Sequence, residues 1–163
     1  MEALRDVIES TPGARFKIHL VGHSAGAVYH GWLYRCVAQP LLAGPLPAQV
    51  SLASIDFLAP AISVTRAGQA FGALPPGFVH VHMLNTADED RDNIHISPSC
   101  LLTYVANHLD QAKGRAPILG LRQDFGTTAL PWARAVAATT SRKHGQFDDA
   151  GHEIEGVLDR CRP

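Results

Sequence analysis

The chain lacks a charge excess of either sign: 14 lysines and arginines face 15 aspartates and glutamates over 163 residues, a formal net charge of −1. A surface so balanced has no general attraction for nucleic-acid phosphates or anionic lipid headgroups. Long apolar runs are also missing. None approaches the roughly 20 residues that span a bilayer, so no transmembrane segment is expected. The mixed, polar segment Met1–Ser10 does not have the form of a secretory signal. Cysteine is scarce: Cys36, Cys100 and Cys161 are widely spaced and odd in number. That points to reduced thiols rather than a disulfide framework or a zinc site. Internal repeats and low-complexity segments are absent. What is present is 46% apolar and 18% charged residue, the balance of one globular domain over 1–163 and not of a disordered chain. A cytoplasmic location is the expectation.

Punctuation by proline and glycine divides the chain into alternating strands and helices. A helix over Glu2–Ser10 ends at Thr11-Pro12-Gly13. The short apolar run Phe16–Val21 reads as a buried parallel strand. Ala25–Val37 reads as a helix with Val28, Trp32, Leu33 and Cys36 near one face, followed by a proline-rich loop, Gln39–Gln49. Further strands are expected at Val50–Leu58, Phe78–Leu84 and Arg134–Thr139, with a short helix at Ala67–Phe71. Thr86–Ser97 reads as a polar, acidic loop, Ser97-Pro98 as the start of a helix running to Leu109, and Gly114–Asp124 as irregular. A last helix is capped by Asp148 and turns Ile154, Val157 and Leu158 inward. Strands alternating with helices predict an α/β protein with a parallel sheet of about four strands flanked by helices.

One motif carries chemistry. Gly22-His23-Ser24-Ala25-Gly26 matches Gly-x-Ser-x-Gly, a pattern that chance places in about one chain of this length in twenty. Its context sharpens it, because it directly follows the apolar run ending at Val21 and directly precedes a helix. A serine at the tip of so tight a strand-to-helix turn is held in a strained backbone conformation. Gly22 and Gly26 would remove side chains that collide there. The helix start adds free N–H groups, and the Ala25 N–H is placed to bind a developing oxyanion. A glycine-rich turn without chemistry, or an anion site at the same helix end, would share the pattern. No Gly-Lys-Ser/Thr is present to make it a nucleotide loop.

A serine nucleophile needs a base, and nine histidines are present. His144 is the best placed, after the last strand and ahead of the last helix, where parallel sheets put their sites. His23 sits inside the turn, where reaching back to its neighbour is awkward. His19, His80 and His82 lie in strands, His30 and His108 on helices, and His95 and His152 on the surface. His80-x-His82 could pair on one strand face as metal ligands, but no third ligand stands out by spacing. The base in turn needs a carboxylate to fix its tautomer. Asp92 and Asp88, between the third strand and the next helix, are the candidates, with Asp56 an outside one.

With these residues in view the sequence resembles the α/β-hydrolase superfamily. The likeness rests on Phe-Lys-Ile-His-Leu-Val-Gly-His-Ser-Ala-Gly at 16–26, Leu-Ala-Pro-Ala at 58–61, the acidic loop 88–92 and His144-Gly145, in the order serine, acid, histidine. Together with Ser-Cys-Leu-Leu-Thr-Tyr at 99–104 and His-Gly-Gln-Phe-Asp-Asp at 144–149, it looks like a bacterial esterase or lipase branch. The resemblance implies Ser24 as nucleophile, His144 as base, Asp92 or Asp88 as acid, no cofactor, and a small-molecule or lipid ester as substrate. Acyl transfer to another alcohol would use the same parts. It covers only the second half of that fold. A complete sheet there has eight strands and the elbow follows the fifth, whereas 21 residues precede Gly22 here. The implied object is a partial hydrolase fold with an open strand edge prone to self-association. A hydrolase-like binding module is the alternative.

Overall fold

The computed structural model describes residues 2–42, 49–92, 100–108, 114–127 and 129–162. In chain order these form α1 (Glu2–Ser10), β1 (Phe16–His23), α2 (Gly26–Leu33), a π-helical turn (Tyr34–Ala38), α3 (Gln39–Leu42), β2 (Val50–Leu58), α4 (Val64–Phe71) and β3 (Val79–Met83). They continue with α5 (Thr86–Arg91), α6 (Leu101–His108), α7 (Arg122–Thr127), β4 (Ala133–Ala137), a 3-10 turn (His144–Gln146) and α8 (Glu153–Cys161). The four strands make one sheet in the order β1-β2-β3-β4, every pair parallel. The fold class expected from alternation is therefore the one observed.

Side-chain alternation along the strands builds two cores, one on each side of the sheet. Ile55, Phe57, Val79 and Val81 join Ala27, Tyr34 and Phe71 beneath α2 and α4. Leu58 and Leu84 join Leu102, Ala106, Phe147 and Val157 beneath α6 and α8. A parallel sheet covered on both faces explains why its strands read as near-continuous apolar runs. The polar exceptions are Asp56 in β2, 1% exposed, and His82 in β3, 3% exposed. Asp56 gathers the polar contacts. Its Oδ1 accepts from His80 Nδ1 (3.1 Å), His82 Nε2 (3.1 Å) and Arg160 Nη2 (2.7 Å), which ties α8 to β2 and β3. Burial works against the charge of Asp56, but the hydrogen bonds from His82, Ser54 and Arg160, with the His80 charge, hold its carboxyl well below the usual range.

Several local expectations need correcting. Of the four residues expected on the packed face of this helix, Val28 and Leu33 do pack against the core, beside the buried Ala27 and Gly31 of α2 and Tyr34 of the π-helical turn, whereas Trp32 is 68% exposed and Cys36 is exposed. Periodicity finds the apolar stripe of a helix but not which edge of it meets the sheet. Thr86–Arg91 is helical because Asn85 caps it, its side chain accepting from the Asp88 N–H at 2.9 Å. Arg122–Thr127 is also helical, and helix continues through Gln39–Leu42. Asp148 does not cap α8. A turn with Gly151 at φ +81° intervenes, the helix starts at Glu153, and Leu158 is half exposed. The expected helix start at Ser97-Pro98, residue Leu109 and His95 lie outside the described residues.

Candidate active site

Because all strands run the same way, the segments after β1, β2, β3 and β4 emerge at one edge of the sheet. Main-chain hydrogen bonds continue the register past the strand ends: Ser24 N–H to Leu58 O (2.9 Å), Ala59 N–H to His82 O (2.9 Å), Ala138 N–H to Met83 O (2.8 Å). Ser24 is thereby fixed beside the end of β2, and its own carbonyl accepts from Ala61 N–H at 2.9 Å. Ser24 has φ +52° and Ala59 φ +43°, the positive-φ non-glycine residues among those described. Such a conformation costs about 1–3 kcal/mol and persists only where the surroundings over-determine it.

The two flanking glycines differ. A Cβ on Gly22 would stand 2.5 Å from His30 Cδ2 and 3.1 Å from the Gly26 carbonyl carbon. His30 cannot easily give way, because its Nε2–H donates to Val21 O at 2.7 Å. A Cβ on Gly26 would meet nothing within 4 Å, so the expectation that Gly26 avoids a collision is wrong. Gly22→Ala is therefore expected to destabilise the fold by about 1–3 kcal/mol, and Gly26→Ala to leave stability within about 1 kcal/mol of the parent. Thermal denaturation of the two variants checks the contrast.

His144 comes to the serine from the far end of the chain. Its Nε2 lies 2.9 Å from Ser24 Oγ, across 120 residues of sequence. Several contacts fix it there. The Asp92 carboxylate accepts from the His144 main-chain N–H at 2.7 Å. Gln146 Oε1 accepts from Arg142 N–H and Lys143 N–H. Glu153, in the first turn of α8, accepts from the N–H groups of Thr139, Thr140 and Ser141 and from the Ser141 hydroxyl. Burial opposes the Glu153 charge, yet these bonds hold its carboxyl down at about 2. His23, the residue before the serine, was not expected to take part. Its Nε2–H donates to the His144 carbonyl at 2.9 Å, its ring lies 5.0 Å from the His144 ring, and its Nδ1 is 3.2 Å from Asp148 Oδ2.

His144 is 7% exposed. Burial, and then the His23 charge, pull its pKa down to about 4, with Asp148 opposing. The imidazole is thus neutral at pH 7 and able to accept a proton through Nε2. Its Nδ1 is buried and meets no hydrogen-bond partner among the described residues. The Ala25 N–H stands at the N-cap of α2, ahead of the first helical turn and beside the serine.

The candidate carboxylates part ways. Asp92 lies against His144, at its main chain. Asp88 is instead taken by Asn85 Nδ2 and, at 3.1 Å, by Arg142 Nη1, two residues before the histidine. Asp56 is bound by His80, His82 and Arg160 within the sheet. The His80-x-His82 pair shares a strand face and turns both rings to Asp56. Glu89, which sequence reasoning passed over, is buried next to this site and shares a small cavity with Asp92 and His144. Burial raises its pKa, partly offset by the Arg122 main-chain bond and charge. No helix among the described residues is long and apolar enough to cross a membrane. Comparison of the chain with protein-family models, curated proteins and solved structures returned no match.

Proposed function

We propose that the protein is a serine hydrolase of carboxylic esters, of the esterase, lipase or thioesterase type, as the α/β-hydrolase resemblance implies. One observation carries the reading: a serine at positive φ on a strand-to-helix turn has its Oγ 2.9 Å from the ring nitrogen of a buried histidine. A structural serine needs neither the strained backbone nor a neutral imidazole.

In this reading His144 Nε2 accepts the Ser24 hydroxyl proton as Oγ attacks the ester carbonyl. The Ala25 N–H donates to the resulting oxyanion. His144 then returns the proton to the departing alkoxide, leaving an acyl-serine. A water molecule, deprotonated by His144, releases the acid and restores Ser24. Asp92 is the positioning carboxylate, acting on His144 through its main chain. The free thiols of Cys36, Cys100 and Cys161 fit a reducing, cytoplasmic setting. The test is hydrolysis of short p-nitrophenyl esters by the purified chain, with Ser24→Ala as the control. Turnover abolished in the control supports the reading, and equal turnover in both proteins overturns it.

A second reading, a non-catalytic module that binds through β1, has one observation in its favour. Among the described residues β1 pairs only with β2, so its outer backbone groups, apart from the Val21 carbonyl that His30 holds, are open to pairing. Self-association through that side is expected to show as a concentration-dependent rise in mass by light scattering. A proline at Lys17, an exposed residue whose N–H lies on the side away from β2 because those of Phe16 and Ser24 face β2, should abolish it. A chain that stays monomeric over the accessible range removes the observation's force.

A further inference from the structure

Resting on the Ser24–His144 reading, we propose that His23 is a positioning residue. Backed by Asp148, it clamps the main chain of His144 and so ties the base to the residue next to the nucleophile.

The ring of His144 shows where its support comes from. Nδ1 meets no partner among the described residues, so none of their carboxylates holds the ring in the way that usually orients an imidazole base. The main chain is held instead. The His144 N–H donates to Asp92 Oδ2 at 2.7 Å, and the His144 carbonyl accepts from His23 Nε2–H at 2.9 Å. Both main-chain polar groups of the base are thus met by side chains, one from the end of β1 and one from the end of α5.

His23 is itself aimed by its surroundings. A carbonyl only accepts, so its partner fixes a hydrogen on Nε2 of His23. The other ring nitrogen, Nδ1, lies 3.2 Å from Asp148 Oδ2, and a carboxylate at one nitrogen of an imidazole orients the other. The ring also stacks on Phe147, with 6.4 Å between centroids, and Phe147 is fully buried in the core beneath α6 and α8. One peptide bond separates His23 from Ser24, and both are registered on the same residue of β2: His23 pairs with Leu58, and the Ser24 N–H donates to the Leu58 carbonyl. The clamp therefore fixes the base relative to the nucleophile itself. It bears directly on the 2.9 Å between Ser24 Oγ and His144 Nε2, where a misplacement of about 1 Å can cost about 100-fold in rate.

The same ring acts through charge. Its centroid is 5.0 Å from that of His144. The charge a histidine takes up in acid opposes a second one so close. After burial, this is the next reason that the pKa of His144 is down at about 4.

Substitution separates the two effects. His23→Phe keeps a ring against Phe147 and removes the donor, whereas His23→Gln keeps an N–H donor near the place of Nε2. His23→Phe is expected to lower kcat about 10- to 100-fold with little change in KM, and His23→Gln to recover most of that loss. Both variants lack the charge, so both should move the acid limb of kcat/KM upward from about 4, even where kcat is restored. A merely structural role would not divide kcat from the acid limb in this way. Asp148→Ala, at a half-exposed carboxylate, is expected to lower kcat about 3- to 10-fold, the worth of one hydrogen bond. It should add nothing to His23→Phe, because it acts through that ring. Should His23→Phe fail to fold, Asp148→Ala decides: that loss supports the clamp, and a kcat equal to the parent's overturns it. An unchanged kcat in His23→Phe, an equal loss in the Phe and Gln variants, or an acid limb that stays in place in both overturns the clamp. The hydrolase reading survives any of these if Ser24 still reacts with a fluorophosphonate. A Ser24 that never reacts overturns the hydrolase reading itself.

Discussion

Ser24→Ala should lower kcat/KM for an activated ester by about 10⁴- to 10⁶-fold, equivalent to roughly 5–8 kcal/mol of transition-state stabilisation. The size follows from what is lost. Oγ is the atom that bonds to the carbonyl, and without it only the Ala25 N–H and any substrate contacts remain to help an uncatalysed attack by water. Ser24→Gly makes a sharper experiment, because it separates chemistry from stability. Ser24 has φ +52°, a conformation that glycine adopts without penalty. The glycine variant should be as inactive as the alanine variant yet more stable than the parent by about 1 kcal/mol, a rise in Tm of roughly 2–4 °C for a chain of this size. Stability and activity trade against each other at this one position. A glycine variant no more stable than the parent would show that the turn is not strained.

His144→Gln should reduce turnover by a comparable factor, about 10⁴-fold or more, since an amide at that place cannot take the serine proton. The same residue sets the acid limb of the pH profile. Its pKa, pulled down to about 4 mainly by burial, leaves it neutral and competent at any pH well above that. For the free enzyme, kcat/KM should therefore be level from neutral pH down to about 5. It should then fall about tenfold per pH unit below 4, as His144 takes a proton before the serine can give one. The linkage to stability has a definite sign. In the unfolded chain the histidine titrates near its ordinary 6.5, so between 6.5 and 4 the unfolded state binds more protons than the folded one. Relative to His144→Gln, the parent is expected to lose stability as pH drops through that window and to keep its full share above it. An acid limb near 6.5 would mean that the ring is solvated and not enclosed as described.

The parts of the site that could be read in advance are those encoded locally. Apolar residues up to Val21, then Gly22-His23-Ser24, then a helix, state a strand, a turn and a helix in succession. Asn85, three residues ahead of Asp88, was a legible start signal for α5, outweighed by the run of acidic side chains that made the segment look like loop. The parts that escaped are those made by distant residues. Nothing near His23 says that it will carry the main chain of a residue 121 positions away. Nothing near Glu153 says that it will gather the loop between β4 and His144. Glu89 was hidden for the same reason: the Arg122 main-chain N–H that it accepts from is contributed from beyond α6. Among the acids, chain position could limit the choice to Asp88 and Asp92. In the fold Asp92 meets the His144 main-chain N–H, Asp88 meets Arg142 and the outside candidate Asp56 meets His80 and His82, while the His144 ring Nδ1 meets none of them.

The most direct test is covalent. The purified chain is treated with a fluorophosphonate at pH 7, and the adduct is located by peptide mass mapping, with His144→Gln treated alongside. The expected result is one stoichiometric phosphonyl group, on Ser24, formed rapidly in the parent and at least about 10³-fold more slowly in the variant, since the same base activates the same hydroxyl. Labelling spread over other serines, or a Ser24 that reacts no faster with His144 present than without it, would contradict the claim that these two residues form a nucleophile and its base.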